Sequence, residues 1–279
     1  MAEARVMTLS GPWAAVAHVV LAVLAVSVLM PIFLVISASF KPPPEIYGGY
    51  PWPVSPTSEN YLKVFDKVPF GLYLWNSFAT TALRVGGQLV IAFFAAYAFA
   101  RYQFRGRAII FALVLAAMMI PHQMVFLPLY LLISDLGWFD TWTALIVPNL
   151  AMPLAVFLLR QHLLSFPREL YDAAAIDGAG DLLAMWHVVL PNVKPVLAAL
   201  TIVLFVDCWN EYFWPLLVTE SANSMTAQIG IRRFMDAERG DEIGPLMAGV
   251  VLVSLPVMIA FLLFQRQIMQ TFVSVGIKG

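Results

Sequence analysis

Charge is scarce in this chain. Lysine, arginine, aspartate and glutamate make up 12% of its 279 residues, about half the share found in a soluble domain. Hydrophobic residues fill 61%, and mean hydropathy is +0.82. No aqueous core of this length hides so much apolar surface, so a polytopic, all-helical membrane protein is expected. A basic excess is also missing. The net charge is −1, which leaves nothing to neutralise phosphates and argues against a nucleic-acid partner. The single cysteine, Cys208, excludes an intrachain disulfide framework. His18, His122, His162 and His187 are scattered without metal-ligand spacing. There is no G-x-S-x-G nucleophile motif, and no G-x-x-x-x-G-K-[ST] phosphate loop. No catalytic residue, metal or cofactor is therefore expected on this chain.

Long apolar runs are plentiful. Six stretches suffice to cross a hydrocarbon layer about 30 Å thick at about 1.5 Å per residue. They lie at 13–37, 74–100, 108–134, 144–165, 195–219 and 246–266. The first is too long for the apolar core of a leader peptide, although Ser37-Ala38-Ser39 imitates a cleavage site. Pro121, Pro128 and Pro148 interrupt the third and fourth. All six are taken as one transmembrane domain covering 1–279. Orientation follows from the short connection Arg101 to Arg107, which holds Arg101, Arg105 and Arg107 and no acid. With six spans, Arg5, Arg160, Arg168, Lys194, Arg266 and Lys278 share its side. Both termini are then expected in the cytoplasm. On the other side, Lys41 to Pro56 is too rich in proline to continue the first helix. Tyr47, Tyr50, Trp52, Tyr73 and Trp75 suit a water–lipid boundary.

Two polar features stand out. The first is the interruption 166–194, reading FPRELYDAAAIDGAGDLLAMWHVVLPNVK. A helix is expected over Glu169 to Ile176, with Ser165 as its N-cap and Pro167 in its first turn. Gly178 allows a left-handed bend. Asp181 is expected to cap a second helix that ends near Leu190, at Pro191 and Pro195. Ala173, Ala174 and Ala179 keep the turn slim, so that another surface can approach it. The second feature is in the fifth span, where Asp207, Asn210 and Glu211 stand beside Trp209 and Tyr212. Asp207 and Glu211 are expected as i, i+4 neighbours on one helical face. Carboxylates next to flat rings suit a neutral polyhydroxylated solute. Arg84, inside the second span, is expected to pair with Asp207 or Glu211 or to snorkel outward. His122 and Gln123, just past Pro121, are candidates to line a cavity at a broken helix.

The interruption resembles the coupling loop of ABC-importer permeases, whose pattern is E-A-A-x3-G-x9-I-x-L-P. Here Asp172, Ala173, Ala174, Gly178, Val188, Leu190 and Pro191 match its spacing, with Asp replacing Glu and Val replacing Ile. Ala95 to Arg107 (AAYAFARYQFRGR) is similar to A-A-Y-A-x-A-R-x-x-F-x-G-R of the carbohydrate group, which serves maltose, trehalose and glycerol phosphate. Asn76-Ser77, Gln123, Trp209-Asn210 and the tail from Phe264 to Gly279 also resemble it. The likeness is to the second permease subunit of the pair.

This resemblance implies a type I importer permease fold in a bacterial plasma (inner) membrane. It implies a homologous permease partner, two cytoplasmic ATPase subunits that hold ATP and Mg, and an extracytoplasmic solute-binding protein. ATPase coupling then falls to Glu169, Asp172, Ala173, Ala174, Asp177, Gly178, Leu190 and Pro191. The alternative is an ion-coupled secondary carrier that uses Asp207 and Glu211, although six spans without inverted repeats are few for that class.

Overall fold

A computed structural model describes residues 12–166, 176, 178, 180–235 and 243–276, and these form helices and turns without a strand. In chain order the principal helices are α1 (Pro12–Ser39), α2 (Glu59–Lys67), α3 (Phe70–Arg101), α4 (Arg107–Ala117) and α5 (His122–Asp135). There follow α6 (Trp142–Ile146), α7 (Pro153–Leu164), α8 (Asp181–Asn210), α9 (Phe213–Val218) and α10 (Ile243–Gly276). Among the described residues, four helices are long and apolar enough to cross a membrane, and two bent pairs bring the total to as many as six.

The third and fourth runs, expected as single spans, are both bent. Helices α4 and α5 meet at 98°, and α6 with its short 3-10 extension meets α7 at 41°. One cause serves for both. Proline lacks an N–H, and its ring collides with the carbonyl four residues earlier. Pro121 lies four residues past Ala117, the end of α4, and Pro153 lies four past Asn149, the end of the 3-10 turn. The fifth run departs from expectation in the same way. It was expected to continue to 219, but α8 stops at Asn210, and Pro215 lies four residues past Glu211. Proline position alone does not decide the matter, because Pro31, Pro128 and Pro256 sit inside unbroken helices, as proline does in many membrane helices.

By its internal contacts the chain divides into two units. The first holds the residues up to Val68 together with Arg233–Leu252. Its anchor is Asn60, which is buried and whose amide donates to the carbonyls of Ser39 (2.9 Å) and Lys41 (2.8 Å). These bonds stop α1 and turn the chain into the proline-rich stretch. There Lys41 Nζ reaches the Tyr50 carbonyl at 2.7 Å, and the Glu45 carboxylate accepts from the amides of Val54 and Ser55. Tyr47, Tyr50 and Trp52 are exposed.

The second unit holds Pro69–Arg232 and the chain from Val253 onward. Its core lies between α3, α7 and α8, where Ala92, Phe93, Ala96, Leu159, Met185, Val189 and Val193 are buried together. Small residues on α3 let α7 approach closely, and a buried side chain such as Leu159 contributes about 2–3 kcal/mol. A smaller cluster joins Ile133, Ala144, Leu145, Trp214 and Val218. The Trp214 indole N–H donates to the Ala144 carbonyl at 2.9 Å.

Candidate functional site

The elbow is built around Gly178. Its φ is +77°, a left-handed backbone that L side chains rarely adopt. No atom lies within 4 Å of where a Cβ would sit, so backbone geometry rather than space selects glycine. Ile176 beside it is exposed. Glu169, Asp172, Ala173, Ala174 and Asp177 lie outside the described residues.

Ser165 closes α7, with its hydroxyl donating back to the His162 carbonyl at 2.7 Å, and of the helix it was expected to open only Ile176 is among the described residues. Two other local expectations are corrected here. Gly180, not Asp181, is the N-cap of α8, since Asp181 is already helical and its carboxylate accepts from Tyr102 Oη at 2.9 Å. The helix does not end near Leu190. It continues to Asn210 through a π turn at Met185–Val189, in which the Leu190 N–H reaches back five residues to the Met185 carbonyl. Pro191, with no N–H to place, is tolerated just after this wide turn. Leu190 packs against the core, and Pro191 is exposed.

At the other end of α8 the chain breaks. Glu211 is extended (φ −65°, ψ 125°), so Asp207 and Glu211 do not form the expected i, i+4 pair on one helix. Instead the Arg84 Nη1 atom donates to the Glu211 carboxylate. A cavity of about 20 Å³ adjoins this pair, lined by Ser77, Thr80, Arg84, Cys208, Trp209 and Thr226 among others. Arg84 Nε and Thr226 Oγ1 are buried there with no hydrogen-bond partner among the described residues. The volume suits about one water and no sugar. Trp209 is buried, donates to the Val253 carbonyl at 3.0 Å and stacks on Phe205 at 5.7 Å, so its ring is committed to packing. Asp207 and Asn210 are exposed, and Tyr212 is half-buried with its ring edge-on to Phe213. His122 and Gln123 are exposed at the start of α5 and do not line this cavity.

The sequence reading named Asn76 and Ser77 only for their likeness to the family, and missed the other supports of this region. On α3, Asn76 donates to the carbonyls of Ala222 (3.0 Å) and Met225 (2.9 Å), Ser77 accepts from the Ala227 amide (2.8 Å), and Gln88 donates to the Asn149 carbonyl (2.7 Å). With Thr80, Thr81 and Arg84 they form a polar stripe at a spacing near four residues. That stripe is the signal that reveals them. Asp140 is the second support. Burial pushes its carboxyl up, but the Ser224 hydroxyl, the amides of Glu220 and Ser221 and the Ser221 hydroxyl outweigh it and hold the group at about 2.

These features define a helical membrane protein in which a long helix has a left-handed glycine just before its start and a polar break at its end. Comparison with known proteins gives the class a family. Residues 88–272 match the family described as the binding-protein-dependent transport system inner membrane component, and the chain belongs to it. It is similar to the arabinooligosaccharides transport system permease protein AraQ of Halalkalibacterium halodurans, 34% identical over 92% of this chain and 94% of that protein. It is also similar to the sn-glycerol-3-phosphate transport system permease protein UgpE of Brucella abortus, 38% identical over 69% of each. In fold it resembles a chain from the crystal structure of a bacterial ABC transporter involved in the import of the acidic polysaccharide alginate. That likeness has a TM-score of 0.84 at 23% identity and covers 92% of this chain and 98% of that one. The protein is a permease subunit of an ABC importer. The ion-coupled carrier reading gains no support from these relatives, and one of its two acids, Glu211, is already paired with Arg84.

Proposed function

We propose that this chain is one of two homologous permeases that carry a sugar or sugar-like solute inward, driven by ATP hydrolysis on two cytoplasmic partner subunits. An extracytoplasmic binding protein delivers the solute, and both termini face the cytoplasm. The relatives named for arabinooligosaccharides and glycerol phosphate support this solute class. Glu169, Asp172, Ala173, Ala174, Asp177 and Gly178 form the knob that seats in the ATPase, with Leu190 and Pro191 in the helix behind it. ATP and Mg are held by the partner subunits. Asp207, Asn210 and Tyr212 face the solute pathway, with His122 and Gln123 at its margin. Arg84, Trp209 and Glu211 hold the break rather than the solute.

The observation that carries the reading is the elbow. A left-handed glycine three residues before Asp181 opens a helix that runs unbroken to Asn210. A pull on the knob is therefore delivered along one rigid rod to the polar break. ATP binding that closes the ATPase pair biases a two-state alternation, because nucleotide binds one state better than the other. The test is uptake by the reconstituted importer with its binding protein. Transport should require ATP, persist when an ionophore collapses the ion gradients, and stop in Gly178→Pro. Transport that fails with the ionophore, or that survives Gly178→Pro, refutes the reading.

A further inference from the structure

Arg84 is the one Lys or Arg deep within the apolar segments from Phe70 to Ala100, from 108 to 159, from 195 to 231 and from Ile243 to Gln265. A guanidinium free at such depth is the natural counter-ion for an anionic solute. Here it is not free. Its Nη1 donates to Glu211, and the two side chains are 10% and 20% exposed. The adjoining cavity of about 20 Å³ admits no phosphate ester. Hydroxyls of Ser77, Thr80 and Thr226, not further cations, complete its wall. The nearest remaining ionisable group on α8 is Asp207, which is exposed and has no hydrogen-bond or ion-pair partner among the described residues. The balance of Arg84, Glu211 and Asp207 is one negative charge, which repels an anion.

We infer that Glu211 is a specificity-determining residue: by cancelling Arg84 it closes this chain's part of the pathway to anionic solutes. Asp207 and Asn210 are left to hydrogen-bond the hydroxyls of an uncharged one. The inference rests on the importer reading and narrows its solute to neutral sugars over phosphate esters. The pathway of an isosteric Glu211→Gln variant holds one unmasked guanidinium.

The test uses inorganic phosphate as the probe. The complete importer, in nanodiscs, is melted in phosphate and in chloride at matched ionic strength. Wild type and the double variant Arg84→Gln/Glu211→Gln should melt at temperatures independent of phosphate. Glu211→Gln should gain a saturable rise, about 5 °C at a hundredfold excess over its dissociation constant. A wild-type rise that Arg84→Gln removes overturns the inference, as does a Glu211→Gln variant that phosphate leaves unmoved. The wild-type arm decides even if Glu211→Gln does not assemble. The uptake assay above tests the importer reading separately, so failure of one is distinguishable from failure of the other.

Discussion

Asp140 and Ser224 are hydrogen-bonded side chain to side chain although 84 residues apart in sequence. The same Asp140 oxygen accepts from the amides of Glu220 (2.7 Å) and Ser221 (2.9 Å), and the Asp140 N–H donates to the Val218 carbonyl (2.8 Å). Trp142 adds a bond from its indole to the Asn223 carbonyl at 3.1 Å. The loop after α9 is thus pinned to the connection between α5 and α6. Asp140 achieves this at φ +58°, a left-handed conformation that Asp tolerates better than most residues.

Asp140→Asn keeps that backbone and removes the charge. The carboxyl sits at about 2 in the fold against an ordinary value of 3.8. Its stabilisation is complete above pH 4 or so and fades as pH falls through about 2. Water reaches the group and screens it, so the variant should lose about 1 kcal/mol at neutral pH. In thermal melts from pH 7 downward, the gap between wild type and variant should narrow below pH 4.

Asn76→Ala strips the part-buried carbonyl of Ala222 and the buried carbonyl of Met225 of their donor. Each bare acceptor carries a desolvation penalty, and the loss should be about 2–4 kcal/mol. Asn76→Asp, which sets an oxygen opposite the same carbonyls, should be no better. A detergent melt of the purified complex measures both.

Gly178 separates two effects by side chain. Gly178→Ala should cost the elbow about 1–2 kcal/mol of backbone strain and reduce uptake. Gly178→Asn, more tolerant of the left-handed region, should retain most of it. Gly178→Pro, whose ring fixes φ near −65°, should abolish uptake while the subunit still inserts. Transport and membrane-fraction immunoblots read the two outcomes independently.

Gly230 is required by space. A Cβ there would fall 2.4 Å from Tyr73 Cδ2, part of a rigid ring that is itself buried. Gly230→Ala should therefore destabilise the second unit by about 1–3 kcal/mol through overpacking. A loss below 0.5 kcal/mol in the melt would show that the ring yields.

The apolar runs were legible because hydropathy alone marks them, and the elbow because Gly178 stands in a polar stretch. The bends at Ala117 and Asn149 were half legible. Pro121 was named as a breaker, but in the fourth run Pro148 was named where Pro153 breaks the chain, and Pro128 and Pro256 look the same in sequence and break nothing. The end of α8 was misread in both directions. Pro191 suggested a stop that a wide turn absorbs, and Pro215 imposed a stop that hydropathy hides. The pairing of Arg84 with Glu211 joins residues 127 apart, and no local pattern specifies which acid is taken.

The wide turn at Met185–Val189 has a consequence for phase. An additional residue in one turn offsets everything beyond it by about 100° relative to a regular helix. The azimuth of Asp207 and Asn210, as seen from the elbow, is set there. Excising one residue from this turn would leave the rod intact and swing those two side chains about a quarter of a revolution off their bearing.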